Sequence, residues 1–263
     1  MGCFRLEYKD CIRDVFGIKI KSIVSKVIDF IFNIIYPPKC IFCGKVLEPN
    51  CNLYICGACS NDIKFCSESI CCEKCGKPIV SYGAKKLCYH CLNNSCSFTK
   101  AISVFTYEDL VKKALLKFKS TGLKGHSDLF VSCMSARFYE EYSDINFDLI
   151  CGAPPHDKKK DFDQVDILCK KLSLIIDIPY KRKVFIQTRK TLKQSTLGYK
   201  ERQKNLKDSL CIKDKTITDG KTILLIDDIC TTRSTLNECA RALKAGGAKK
   251  IYALTVATVN NPE

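Results

Sequence analysis

No uninterrupted apolar run in this chain of 263 residues reaches the roughly 18 residues needed to cross a bilayer, so a transmembrane helix is excluded. A secretory signal is also missing. The first apolar stretch is broken by Lys19, Lys21, Lys26 and Asp29, and no small-residue cleavage site follows, so a reducing, cytoplasmic setting is expected. Met1-Gly2 lacks the Ser or Thr at position 6 that N-myristoylation requires, since Leu6 stands there. Glycine and proline are sparse at 13 and 8, tryptophan is absent, and 46% of residues are hydrophobic, which rules out disordered, fibrous and collagen-like chains. Acidic residues are in short supply as well: 28 against 43 Lys and Arg give a formal charge of +15. Such a surface attracts polyanions, whether nucleic acid, a phosphorylated ligand or an anionic membrane.

Cysteine, by contrast, is abundant: 20 in all, 12 of them between Cys40 and Cys96. A disulfide framework suits small secreted domains, so in a reducing compartment the cluster points to metal-bound thiolates. Four Cys-x-x-Cys knuckles stand in order, Cys40/Cys43, Cys56/Cys59, Cys72/Cys75 and Cys88/Cys91. The two intervals Gly44 to Ile55 and Gly76 to Leu87 are each twelve residues. A two-residue spacer lets both thiolates of a knuckle face one tetrahedral ion, and eight thiolates suit two structural zinc sites. Spacing leaves open whether the knuckles pair sequentially or cross over. His90 is a bystander between two ligands, and Cys133, Cys151, Cys169, Cys211, Cys230 and Cys239 are expected to be small core residues.

The chain divides into three regions: an amphipathic helical segment over 1–36, a zinc-binding domain over 37–97 and an α/β domain over 98–263. In the first, Ile20, Ile23, Val24, Val27, Ile28, Ile31, Ile34 and Ile35 form one apolar helical face. That face packs on its own protein or, as the alternative, docks peripherally on a membrane or partner. In the third, strands are expected at Ala101 to Tyr107, Asp148 to Ala153, Thr222 to Ile226 and Ile251 to Val256. Helices are expected at Leu110 to Lys119, Phe162 to Ile176 and Thr235 to Ala245. The run Thr222 to Ile226 has the apolar character of a strand buried on both faces, and the βαβ order implies a mainly parallel sheet.

Between that strand and the following helix lie Asp227, Asp228, Thr231, Thr232, Arg233, Ser234 and Thr235. Free N–H groups at a helix start form a phosphate cradle to which the hydroxyls add donors, and two acids beside it hold sugar hydroxyls or a hydrated Mg2+. The pattern Asp227-Asp228-x-x-Thr231-Thr232-x-x-Thr235 resembles the phosphoribosyl-pyrophosphate loop of type I phosphoribosyltransferases. With four knuckles ahead of it, the chain resembles the ComF family, competence-associated proteins in which a zinc finger is fused to a phosphoribosyltransferase-like domain. Further likeness lies in Tyr36-Pro37-Pro38-Lys39-Cys40, Tyr107, Leu116-Lys117-Phe118-Lys119 and Pro154-Pro155 through Phe162-x-Gln164. Arg189, Thr191, Gln194, Leu197, Arg202 and Asn205 also follow the family spacing, so that the resemblance covers about residues 28–256. Arg233 replaces the family's usual loop glycine, where it strains the turn, fills the pocket or grips a phosphate.

From Lys181 to Lys215 twelve Lys or Arg stand against three acids, interleaved with Tyr180, Phe185 and Tyr199. Cations that pair phosphates beside rings that stack on bases suit single-stranded nucleic acid, with Arg182, Lys183, Arg189, Lys190 and Arg202 as the expected contacts. The resemblance implies an accessory protein that binds single-stranded DNA during natural transformation, with a competence helicase and a recombination mediator as partners. The alternative is a Mg2+-dependent phosphoribosyltransferase acting on phosphoribosyl pyrophosphate, with Asp227 and Asp228 as the catalytic pair.

Overall fold

The computed structural model describes residues 37–48, 54–79, 86–155, 163–188 and 208–259. The segment 1–36, including the expected amphipathic helix, lies outside them, as do Arg189, Lys190 and Arg202.

The two apolar runs near the C-terminus become neighbouring central strands, β5 (Thr222–Cys230) and β6 (Lys250–Thr258). Beside them lie β1 (Lys100–Thr106) and β2 (Leu149–Gly152), in the order β1-β6-β5-β2 with every pairing parallel. Ile223, Leu224, Leu225 and Ile226 are all fully buried, as a strand covered on both faces requires. A short antiparallel pair, β3 (Phe185–Gln187) and β4 (Leu210–Ile212), stands apart. β5 runs four residues beyond its apolar stretch, so Asp227 and Asp228 lie within the strand, with Asp227 in register with Thr255.

Alternate strand residues feed two apolar layers. On one face Ile102, Val104, Ile150, Leu224, Leu254 and Val256 pack against α3 (Asp109–Thr121), α4 (Lys124–Tyr142) and α5 (Gln164–Ile176). On the other, Leu149, Cys151, Ile223, Leu225, Ile251 and Ala253 meet Leu236, Cys239, Ala240 and Leu243 of α6 (Ser234–Ala245). α3 stops where Gly122 takes a left-handed conformation, and α5 starts where the Asp163 carboxylate accepts from the Val165 and Asp166 N–H groups. Cys133, Cys151, Cys169, Cys230 and Cys239 are buried core residues, whereas Cys211 is exposed on β4.

The cysteine-rich region wraps around β1. Its first half, with Cys40, Ile41, Phe42 and Leu47, joins the apolar cluster of the three-helix face, while Cys72, Cys75, Cys88 and Phe98 of its second half join the α6 face. The connecting segment follows the outer edge of β1: Thr106 N donates to Lys64 O, Phe65 bridges Phe105 in antiparallel fashion, and Ala101 N donates to Lys74 O. Two short helices belong to this region, α1 (Gly57–Asp62) and α2 (Tyr89–Asn93).

Candidate metal centres and phosphate loop

The knuckles pair sequentially. Sulfurs of Cys40, Cys43, Cys56 and Cys59 lie within 4.8 Å of one another, and so do those of Cys72, Cys75, Cys88 and Cys91. Tetrahedral Zn–S bonds of about 2.3 Å set sulfurs about 3.8 Å apart. The Cys43–Cys56 and Cys75–Cys88 separations are 3.7 and 3.8 Å, the spacing of ligands that share a zinc ion. The two halves repeat one another. Gly44 N and Gly76 N donate to the carbonyls of Cys40 and Cys72, each at 2.8 Å, and both glycines take positive φ, 78° and 68°. Four cysteines and no open position make these structural rather than catalytic sites. Among the remaining thiols of the region, Cys71 donates to Cys66 O, and His90 lies outside both cages, with Asn94 3.4 Å from its Nδ1.

At the carboxyl end of β5 the two acids differ in kind. Asp227 is buried and its Oδ1 accepts from Asp228 N at 2.8 Å; burial, then the neighbouring Asp228 charge, hold its carboxyl well above the usual carboxylate range. Asp228 is half-buried and accepts from Gln164 Nε2 at 3.0 Å and from Ile229 N at 2.7 Å, with Lys119 Nζ 3.7 Å away. Burial, then that same carboxylate, raise the Tyr107 phenol above its ordinary value. Gln164 and Lys119 therefore converge on Asp228 from α5 and α3, and Tyr107 at the end of β1 feels its charge. Sequence resemblance singled out all three, but assigned none of them a place beside the acids.

The turn that follows leads into α6, whose first turn carries no acid. Thr231 is exposed, Thr232 Oγ1 and Ser234 Oγ lie 2.9 Å apart, and Thr235 is half-buried. Arg233 stands at the N-cap with φ 63° and ψ 0°, left-handed, and is buried. Its Nη1 lies 3.2 Å from the sulfurs of Cys75 and Cys88 and 3.4 Å from that of Cys91. Burial works against the charged guanidinium, but the Cys75 and Cys88 sulfurs outweigh it and leave the Arg233 pKa raised. Of the three fates that sequence offers Arg233, the geometry favours a strained turn, with the side chain directed into the second cage.

Of the basic segment, Lys181, Arg182 and Lys183 are exposed. Arg182 Nε pairs with Asp166 Oδ1 at 3.0 Å, and the same carboxylate accepts from Tyr180 OH at 2.7 Å and pairs with Lys170 at 2.8 Å. Burial would raise the Asp166 pKa, but Lys170, Tyr180 and Arg182 bring it below the ordinary value. No helix among the described residues is long and apolar enough to cross a membrane.

The double zinc ribbon domain family matches residues 31–92, and the phosphoribosyl transferase domain family matches residues 165–263. Competence protein F of Haemophilus influenzae is 26% identical over 81% of this chain and 93% of its own length. Competence protein ComFC of Bacillus subtilis is 26% identical over 77% of this chain and 83% of its own. Among solved structures, the glutamine phosphoribosylpyrophosphate amidotransferase of B. subtilis aligns with 46% of this chain at 16% identity and a TM-score of 0.32, and the chain spans about a quarter (25%) of that enzyme's length. A double zinc ribbon followed by a phosphoribosyl transferase domain, with competence proteins F and ComFC similar along most of the chain, is the architecture of the ComF family.

Proposed function

We propose that this protein serves DNA uptake by binding single-stranded DNA on its basic face, with the loop after β5 receiving a phosphate group. The observation that carries the reading is a juxtaposition at the start of α5. Gln164 holds Asp228, and Asp166, two residues on, holds Arg182 and Tyr180. One helical turn thus tethers the start of the basic segment next to the acids and the helix N-terminus that suit a phosphorylated ligand. The net charge of +15 and the competence proteins among its relatives support the same reading. The two zinc ions hold the ribbons together and take no part in chemistry. The test is fluorescence anisotropy with a labelled oligonucleotide across a salt series, comparing the chain with one in which Arg182, Lys183, Arg189 and Lys190 are neutralised. Weaker binding and a shallower salt dependence are expected; an unchanged slope removes this surface from the proposal.

The contacts of Lys119 and Gln164 with Asp228 favour a second reading, in which a nucleophilic acceptor bonds to C1 of Mg2+-bound phosphoribosyl pyrophosphate and displaces pyrophosphate. Asp228 would hold a ribose hydroxyl as the bond to pyrophosphate loosens, while hydroxyls from Thr231 to Thr235 fix the 5′-phosphate. Pyrophosphate release that vanishes in Asp228→Asn is the expected signature. Equal release by both proteins excludes the role.

A further inference from the structure

The two zinc cages are alike in ligands but unlike in surroundings. In the first, Cys40, Cys56 and Cys59 are buried but Cys43 is exposed; in the second, Cys72, Cys75 and Cys88 are buried and Cys91 is half-buried. Four thiolates around one Zn2+ leave a net charge of −2, which water solvates at an open site but which a buried site must offset from within the protein. Among the described residues the second cage alone has a guanidinium against its sulfurs, that of Arg233. The same residue occupies a left-handed conformation that is unfavourable for a residue other than glycine. Strain of that kind persists where the surroundings over-determine it. The thiolates do so from one side, and from the other Arg233 O accepts from Asn237 N at 2.8 Å in the first turn of α6. Asn237 in turn accepts from Ser97 N at 2.6 Å, a second tie between this helix and the exit of the ribbon.

We propose that Arg233 is a positioning residue that joins the second zinc site to the phosphate loop: its guanidinium offsets the thiolate charge, and the cage in return holds residue 233 in the turn that opens α6. The family's usual glycine adopts such a turn unaided. Here the loop depends instead on a metal site about 150 residues earlier in sequence, since Cys75 and Cys88 lie 158 and 145 positions from Arg233. Loss of the metal, with protonation of the thiols, would leave a buried cation without its partner beside a strained turn. What the loop binds rests on the function proposed above, but the link between Arg233 and the cage does not.

The test uses the full, zinc-loaded chain and follows zinc release to a chromophoric chelator. In Arg233→Gly, which suits the left-handed turn, one of two zinc equivalents should leave about ten to a hundredfold faster, the effect typical of losing an outer-shell partner, while the other keeps its native rate. In cobalt-substituted protein, the sulfur-to-cobalt charge-transfer band of one site should shift and that of the other should not. Native release of both equivalents, with unshifted bands, overturns the proposal. If the glycine variant loses both ions together through misfolding, Arg233→Gln, which removes the charge, decides: acceleration at one site supports the link, and native rates overturn it. Titration with phosphoribosyl pyrophosphate and Mg2+ forms a separate arm. Absence of binding to the native chain defeats the phosphate reading and leaves the metal-release result standing.

Discussion

Asp227 is a carboxyl group buried at the end of a central strand, raised in pKa by burial and then by the Asp228 charge. A raised folded pKa means that the native state holds a proton the unfolded chain has released. The associated stability is full below the ordinary carboxylate range and is lost as pH climbs through the folded value. Asp227→Asn keeps the carbonyl that accepts from Asp228 N and removes this pH-dependent loss. The variant is expected to melt above the native chain once pH exceeds the ordinary carboxylate range, on the order of 2–4 °C for each kcal/mol recovered, with the gap widening in calorimetry as pH rises toward the folded value. Parallel curves for the two proteins would contradict a buried, raised carboxyl. Asp228, paired with Gln164 and Lys119, differs from its neighbour by one step along a strand whose residues point to opposite sides.

At the scale of elements, the repeated ribbons offer an internal comparison. Gly44 and Gly76 occupy equivalent turns with the same hydrogen bond, yet a Cβ on Gly44 would meet nothing within 4 Å, whereas one on Gly76 would come to 2.6 Å from Ala101 O. Gly44→Ala should therefore cost only the left-handed penalty of roughly 1–2 kcal/mol. Gly76→Ala adds a collision with β1 backbone, and its melting temperature should fall further; equal losses would mean that the second ribbon is not seated on β1. The knuckles, the four strands of the parallel sheet and three of the four helices of the α/β domain were legible in sequence because their patterns are local: two-residue spacers, apolar runs, helical periodicity; α4 was not, because its apolar residues do not gather on one face, and neither was the short pair β3 and β4. Strand ends were less so. β5 continues through Asp227 and Asp228 because backbone pairing with β6 does not depend on apolar side chains. Nor was Cys211 legible, since a lone thiol in a short strand carries no sign of which side faces solvent. The destination of Arg233 lay out of reach for another reason: the contact spans more than 140 positions, and only the fold brings the second cage to the start of α6.

For the whole molecule, charge and topology act together. Each phosphate neutralised on a single strand contributes about 0.7 to the logarithmic salt slope, so loss of four cationic contacts at 182, 183, 189 and 190 should flatten the slope by roughly 3. Arg182 is already paired with Asp166, and a shortfall traceable to that one position would show that its ion pair survives in the complex. The seating of the ribbons has a consequence for dissection. β1 is the last strand on its side of the main sheet, and the segment from Lys64 to Lys74 meets its outward amide groups. An α/β domain released by cleavage near residue 97 would present those groups bare, a ready template for strands of other chains. It would also lose the cover that Cys72, Cys75 and Cys88 give the α6 face. The ribbons are thus a guard against self-association, and the smallest soluble unit of this fold includes them.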